Sequence, residues 1–220
     1  MPKPKKSLEP QQARSRESLR RLLKAATEVL NKHGVRGATI PRIAKQAGLT
    51  PGAVYRRFRD KDALLETVVL AILENQDMAV RMAFTPEMAA RTPLPELAEE
   101  IISIMLNSHR MHTGLLRALR RFSQSKEGTP FWKKAAKMEV RTLEYMTEVL
   151  SASRGKIQHP DPRSAIAFAL MIVLSMLVEL VLNTPDNNVW KGMMPKDDQA
   201  LASELTRSFL SYLGVERTAS

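Results

Sequence analysis

The chain has 220 residues, 44% hydrophobic and 26% charged, so it is long enough for one domain or two small ones and can bury a sizeable core. It has no cysteine, which excludes a disulfide scaffold, a thiolate zinc site and a cysteine nucleophile. The formal net charge is +11, and all of the excess lies in residues 1–62, which hold sixteen basic and five acidic side chains; the rest of the chain is neutral. Segregation of this kind points to a polyanion-binding module joined to a neutral body. Charge alone does not choose between nucleic acid and an anionic membrane.

Residues 1–16, rich in Pro, Lys and Gln, read as a flexible basic arm. No apolar stretch follows their charges, so they do not form a secretory signal, and the expected location is cytoplasmic. Residues 17–33 place Leu19, Leu22, Leu23, Ala26, Val29 and Leu30 on one stripe, which predicts an amphipathic helix ended by Gly34. Thr39 is the expected N-cap of a second, short helix with Ile40, Ile43, Ala44 and Ala47 inward and Arg42, Lys45 and Gln46 outward; Gly48 ends it. Leu49 crosses a tight turn. Thr50 caps a third helix with Pro51 at its first position, where the missing N–H costs nothing. Val54 and Phe58 face inward. Asp60 caps a fourth, longer helix.

Two short helices across a glycine turn, braced by an amphipathic helix, predict a helix-turn-helix whose second member enters the major groove of duplex DNA. Leu23, Ala25, Ala26, Val29, Leu30, His33, Gly34, Ala38, Thr39, Ile40, Ile43, Ala44, Ala47, Gly48, Leu49, Thr50, Gly52, Val54, Tyr55, Phe58, Lys61 and Leu64 together resemble the N-terminal signature of the tetracycline-repressor (TetR) family. The resemblance implies an all-α homodimeric regulator. A three-helix DNA-binding domain (17–63) would precede a larger helical ligand-binding and dimerisation domain (64–220). It implies double-stranded operator DNA and a small, largely apolar effector as partners, with no cofactor, metal, catalytic residue or membrane partner.

Carried over residue by residue, Thr39, Tyr55 and Lys61 meet phosphates, and Thr50, Pro51 and Gly52 lie at the mouth of the recognition helix. Arg42 joins the DNA-binding set. Arg56 and Arg57 are candidate readers of guanine edges, because arginine donates two parallel hydrogen bonds to O6 and N7. The competing reading makes the threonines simple caps and Tyr55 mainly a core residue, and at least one of Arg56, Arg57 and Arg59 is expected to be only a solvated face.

Beyond residue 64 the pattern predicts helices near 64–83, 96–112, 114–122, 131–152, 163–182 and 197–213, with breaks at 84–95, 123–130, 154–162 and 183–196, each of which holds proline. The run 165–182 is long enough to span a membrane, but Glu179 lies inside it, and a helix apolar all round is also a buried helix at a dimer core; we expect the latter. With the last helix it resembles the pair that forms the family's two-fold interface. Most of the twelve methionines follow residue 77 and suit a soft apolar pocket or an ordinary core. His109 and His112 stand three apart but lack further metal ligands, and Arg117, Arg120 and Arg121 cluster, read as a solvated face with contact to an acidic ligand as the alternative. No phosphate loop, nucleophile elbow or zinc-protease pair is present, so an enzyme is not expected. The alternatives are a helical ligand carrier or a membrane-associated protein without specific DNA binding.

Overall fold

The computed structural model describes residues 8–182 and 191–215, and among these the secondary structure is helical. Helix α1 (Leu8–Gly37) is bent at Gly34, whose φ of 62° is the left-handed conformation that ends its regular part. It begins well before residue 17. The segment 8–16, expected to be part of a flexible arm, is therefore helical, and residues 1–7 lie outside the described residues. Pro10 falls in the first turn of the helix, where proline is tolerated.

Helices α2 (Ile40–Ala47) and α3 (Pro51–Tyr55) follow their expected caps: Thr39 accepts from the Arg42 backbone N–H at 3.4 Å and Thr50 from that of Ala53 at 3.2 Å. Gly48, at φ 66°, reverses the chain between them. Helix α4 (Lys61–Ala83) starts behind Asp60, whose Oδ1 accepts from the Ala63 N–H at 2.7 Å.

Helix α5 (Pro86–Ala89), capped by Thr85, is a short element inside the expected break. Helices α6 (Leu94–Met111), α7 (Thr113–Gln124), α8 (Pro130–Ala152), α9 (Pro162–Leu182) and α10 (Asp198–Tyr212) match the predicted helices to within two residues at each end. A backbone pair, Leu94 N–H to Arg154 O at 2.7 Å and Arg154 N–H to Thr92 O at 3.0 Å, ties the start of α6 to the end of α8.

Two apolar cores result. The first gathers Leu22, Ala26, Leu30, Ile43, Val54, Leu64, Leu65 and Val68 from α1–α4, but also Leu115, Ala118 and Phe122 from α7 and Phe131 from α8. The N-terminal unit therefore does not close at residue 63: α4 runs unbroken through that position, and α7 lies against α1. The second core is built from α5, α6, α8, α9 and α10 around Leu97, Ile101, Leu150, Ile166, Leu177 and Leu210.

Helix α9 is long and apolar enough to cross a membrane by length and composition, with a mean hydropathy of 1.9 over its window. It is not buried all round. Ile166, Ala169, Leu170, Val173 and Leu177 face the second core, whereas Phe168, Met171 and Ile172 are about half exposed, beside Tyr212 of α10 at a Phe168–Tyr212 ring distance of 5.6 Å. Of the methionines, Met146 is buried and Met88, Met105, Met176 and Met194 pack partly on the second core, while Met78, Met82, Met111 and Met193 are exposed.

Candidate nucleic-acid interface

The capping hydroxyl of Thr50 and the β-region backbone before it present the N-terminus of α3 outward. Pro51 and Gly52 at its first turn are exposed, and a Cβ built on Gly52 would meet nothing within 4 Å. Tyr55 follows one turn later and is 55% exposed, so its ring does not belong to the core. Arg56 is exposed, and its side chain makes no ion pair or hydrogen bond among the described residues. Pro51, Gly52, Tyr55 and Arg56 thus share one open surface at the end of a helix whose other face, Val54, is fully buried. Such a rod, rigidly seated and open on one side, suits insertion into a groove about 12 Å wide.

The remaining predicted contacts are partly engaged inside the protein. Arg42 donates from Nη1 to the Gly37 carbonyl at 2.6 Å, holding the turn that follows α1. Lys61 donates from Nζ to the Val35 carbonyl at 2.7 Å, so its ammonium ties the start of α4 to the same turn. Arg57 turns back onto α1 and donates from Nη2 to Ser15, to Oγ at 2.9 Å and to the carbonyl at 3.3 Å. Its guanidinium is therefore engaged with α1, whereas Arg56 has no such side-chain contact among the described residues, and the two arginines are not a pair of equivalent readers. Arg59 pairs with Asp60 at 3.0 Å. The Asp60 carboxyl is held below its ordinary range, chiefly by the hydrogen bond from the Ala63 backbone, with Arg59 adding to it. Thr39 and Thr50 act as caps and keep their hydroxyls at exposed helix starts.

Links that position this surface arise from residues that carry no sequence motif. Gln46 of α2 donates to Glu28 of α1 at 2.7 Å, and Lys126, in the turn just past α7, pairs with Asp62 of α4 at 2.6 Å. The Leu115 N–H, in the first turn of α7, donates to Asn31 Oδ1 of α1 at 2.9 Å. His112, the residue at the cap position, makes no side-chain cap, so Asn31 supplies one from another helix. Farther along α4, Asp77 is buried between Arg81 at 2.9 Å, Arg141 at 3.0 Å and the Thr142 hydroxyl at 2.8 Å, the last two from α8. The Arg81 side-chain hydrogen bond is the main cause that holds its carboxyl below the usual range. Arg81 also lies 4.0 Å from the Tyr145 ring centre, and Tyr145 donates to the Phe84 carbonyl at 2.8 Å. Only the spacing of Asp77 and Arg81, four apart on one helix, was a signal in the sequence.

His109 contacts the Met105 carbonyl through Nδ1 at 2.8 Å, and burial pushes its pKa down. Among the described residues no group of three or more His, Asp or Glu is placed to hold a metal ion.

The fold and this surface define a helix-turn-helix DNA-binding regulator. A family model described as bacterial regulatory proteins of the tetR family matches residues 22–68, and one described as a tetracyclin repressor-like C-terminal domain matches residues 93–213. The second alone spans more than half of the chain, and the chain belongs to the TetR family of transcriptional regulators.

The HTH-type transcriptional regulator SrpR of Pseudomonas putida is 25% identical over 192 residues, covering 86% of this chain and 81% of the relative. BetI of Escherichia coli O157:H7 is 25% identical over 195 residues, covering 87% and 91%. In fold, the chain is similar to a protein described as a TetR-family transcriptional regulator from Mesorhizobium loti, with a TM-score of 0.70 at 22% identity over 91% of this chain and 97% of the other. It is also similar to FadR from Bacillus subtilis, solved in complex with stearoyl-CoA, with a TM-score of 0.60 at 16% identity over 87% and 97%. Each of these relatives is described as a transcriptional regulator.

Proposed function

We propose that the chain acts as a cytoplasmic homodimeric repressor that binds a palindromic operator and is released by a small, largely apolar effector. The observation that carries the DNA half of this reading is the exposed edge of α3, with Pro51, Gly52, Tyr55 and Arg56 on one open surface over a fully buried Val54. Thr39, Thr50, Tyr55 and Lys61 are the proposed phosphate contacts and Arg56 the proposed base reader. Arg42 and Arg57 act mainly by holding the reading head together, through Gly37 and Ser15.

Dimerisation is supported by the half-exposed apolar stripe of Phe168, Met171 and Ile172 beside Tyr212, which a second copy would cover. Two heads related by a two-fold axis then fall on successive major grooves, about 34–36 Å apart. The acyl chain carried by the ligand of the Bacillus neighbour supports an apolar effector, and α4, whose first half is buried in the first core and whose Val80 packs against the second, is the proposed carrier of its signal. By linkage, operator binding must weaken effector binding by the same factor.

Selection of duplexes from a random-sequence pool by the intact chain is expected to yield an inverted repeat. Ile172→Glu places a charge on the apolar stripe; it should sediment as a monomer and hold only a half-site. Recovery of non-palindromic DNA, or a dimer unaffected by Ile172→Glu and by Phe168→Arg, would contradict the reading.

A further inference from the structure

The helix that braces the reading head does not begin where the family pattern begins. The N-terminal family match opens at residue 22, but α1 starts at Leu8, so fourteen further residues, about 21 Å of helix at 1.5 Å per residue, precede it. Those turns are fastened to the recognition element: Arg57, just past α3, donates to both the hydroxyl and the carbonyl of Ser15. Between the two helices lies an open groove of about 260 Å³ lined by Ser18 and Leu22 of α1, Leu49, and Ala53, Arg56 and Arg57 on the α3 side.

Helical periodicity then sorts the charges of this segment. Arg14, Ser18 and Arg21 stand at i, i+4 and i+7, so the two arginines border the face that looks into the groove. Arg16 and Arg20 project from the opposite side, and Arg20 is engaged with Glu17 at 3.0 Å. The side chains of Arg14 and Arg21 are exposed and make no ion pair or hydrogen bond among the described residues; Arg21 adds only a minor, longer-range attraction to Glu17. Two guanidiniums with their donors open therefore lie along the outer α1 edge of the groove, across from the side that Arg56 lines. Duplex DNA docked on the edge of α3 would bring its backbone past them, and guanidiniums bind phosphate through paired donors.

We propose that the first turns of α1 are a second DNA-contact element, in which Arg14 and Arg21, held beside the recognition helix through Arg57 and Ser15, grip phosphates flanking the major-groove site. This rests on the assignment of α3 as the reading element. Its own consequence is separate: contact with the backbone carries no base information, so the element lengthens the footprint and raises affinity without changing the sequence read.

The test compares an inverted-repeat duplex enriched by the wild-type chain, with and without mixed-sequence flanks, over a series of salt concentrations. The R14Q/R21Q variant should lower the slope of log K against log salt by about 0.9 for each phosphate it no longer neutralises, close to 2 per reading head, on the flanked duplex. On the trimmed duplex it should bind as the wild type does. R16Q/R20Q, which removes equal charge from the opposite side, should leave the slope unchanged on both. Equal losses in the two double variants would reduce the effect to diffuse charge and overturn the proposal, as would a wild-type slope in R14Q/R21Q. Arg56→Ala tells the two readings apart, because it should weaken binding to both duplexes. If Arg56→Ala binds like the wild type while R14Q/R21Q behaves as stated, the assignment of α3 fails and the α1 contact stands. Circular dichroism confirms that each exposed substitution leaves the helices formed.

Discussion

Gly114→Ala is expected to lower the free energy of unfolding by about 2 kcal/mol, within the range for inserting a methyl group into a packed contact. The sign is the informative part. In an unconstrained helix the same substitution stabilises by roughly 0.5–1 kcal/mol, because alanine is the better helix former. Here a Cβ on Gly114 would stand 2.5 Å from the Asn31 carbonyl oxygen and 3.0 Å from its Oδ1. The first of these is backbone and cannot swing aside. The first turn of α7 would have to move away from α1, breaking the hydrogen bond from the Leu115 N–H to Asn31 and opening the core around Leu115 and Ala118. Urea unfolding reads the result directly. A higher midpoint in Gly114→Ala would show that α7 is not seated on the brace of the reading head.

Asp77→Asn is expected to cost about 2 kcal/mol at neutral pH, below the 3–5 kcal/mol for a fully buried pair. The discount follows from its partners: the Arg81 and Arg141 side chains are 39% and 44% exposed and recover part of their hydration when the carboxylate is removed. The pH dependence has a definite sign. The folded-state pKa of Asp77 is lowered, first by the Arg81 hydrogen bond and then by Thr142 and the two arginine charges, against the opposing effect of burial. Its contribution is therefore fully present above the unfolded value, about 3.9, and is lost as pH falls below that value through the folded pKa. The difference in stability between the wild type and Asp77→Asn should stay constant from pH 7 to near 5 and shrink as the solution is made more acid. A gap that widens below pH 4 would mean that Asp77 is not held ionised between α4 and α8. Because this network joins the C-terminal half of α4 to α8, the variant should also loosen the tie between the two cores.

The reading head was legible because its determinants are local. Thr39, Gly48, Thr50, Pro51 and Asp60 act within four residues of where they stand, and each does in the structure what its chemistry requires. The C-terminal helices were legible from apolar spacing between prolines. What was not legible depends on long reach or on partners distant in sequence. Arg57 and Lys61 look from sequence like surface cations free of other partners, yet each gives a donor inside the protein, to Ser15 and to the Val35 carbonyl. Nothing near Gly114 marks Asn31, 83 positions earlier, as the acceptor for the first turn of α7. Helix α5 had a local signal, Thr85 before Pro86, but it lay within a stretch rich in proline that reads as a break. The run at 165–182 reads as uniformly buried because periodicity cannot distinguish a side covered by the same chain from a side left for another copy.

The proposed seat of the α3 edge is the major groove of DNA. Dimethyl sulfate interference on the enriched duplex tests it most directly, since the reagent methylates guanine N7 in the major groove and adenine N3 in the minor groove. We expect methylated guanines to block binding in two clusters one helical turn apart, with methylated adenines tolerated at those positions, and Arg56→Ala to lose its sensitivity at one guanine in each cluster. Interference at adenines alone, or spread evenly along the duplex, would place the protein on the other groove or on the backbone only and would contradict the account.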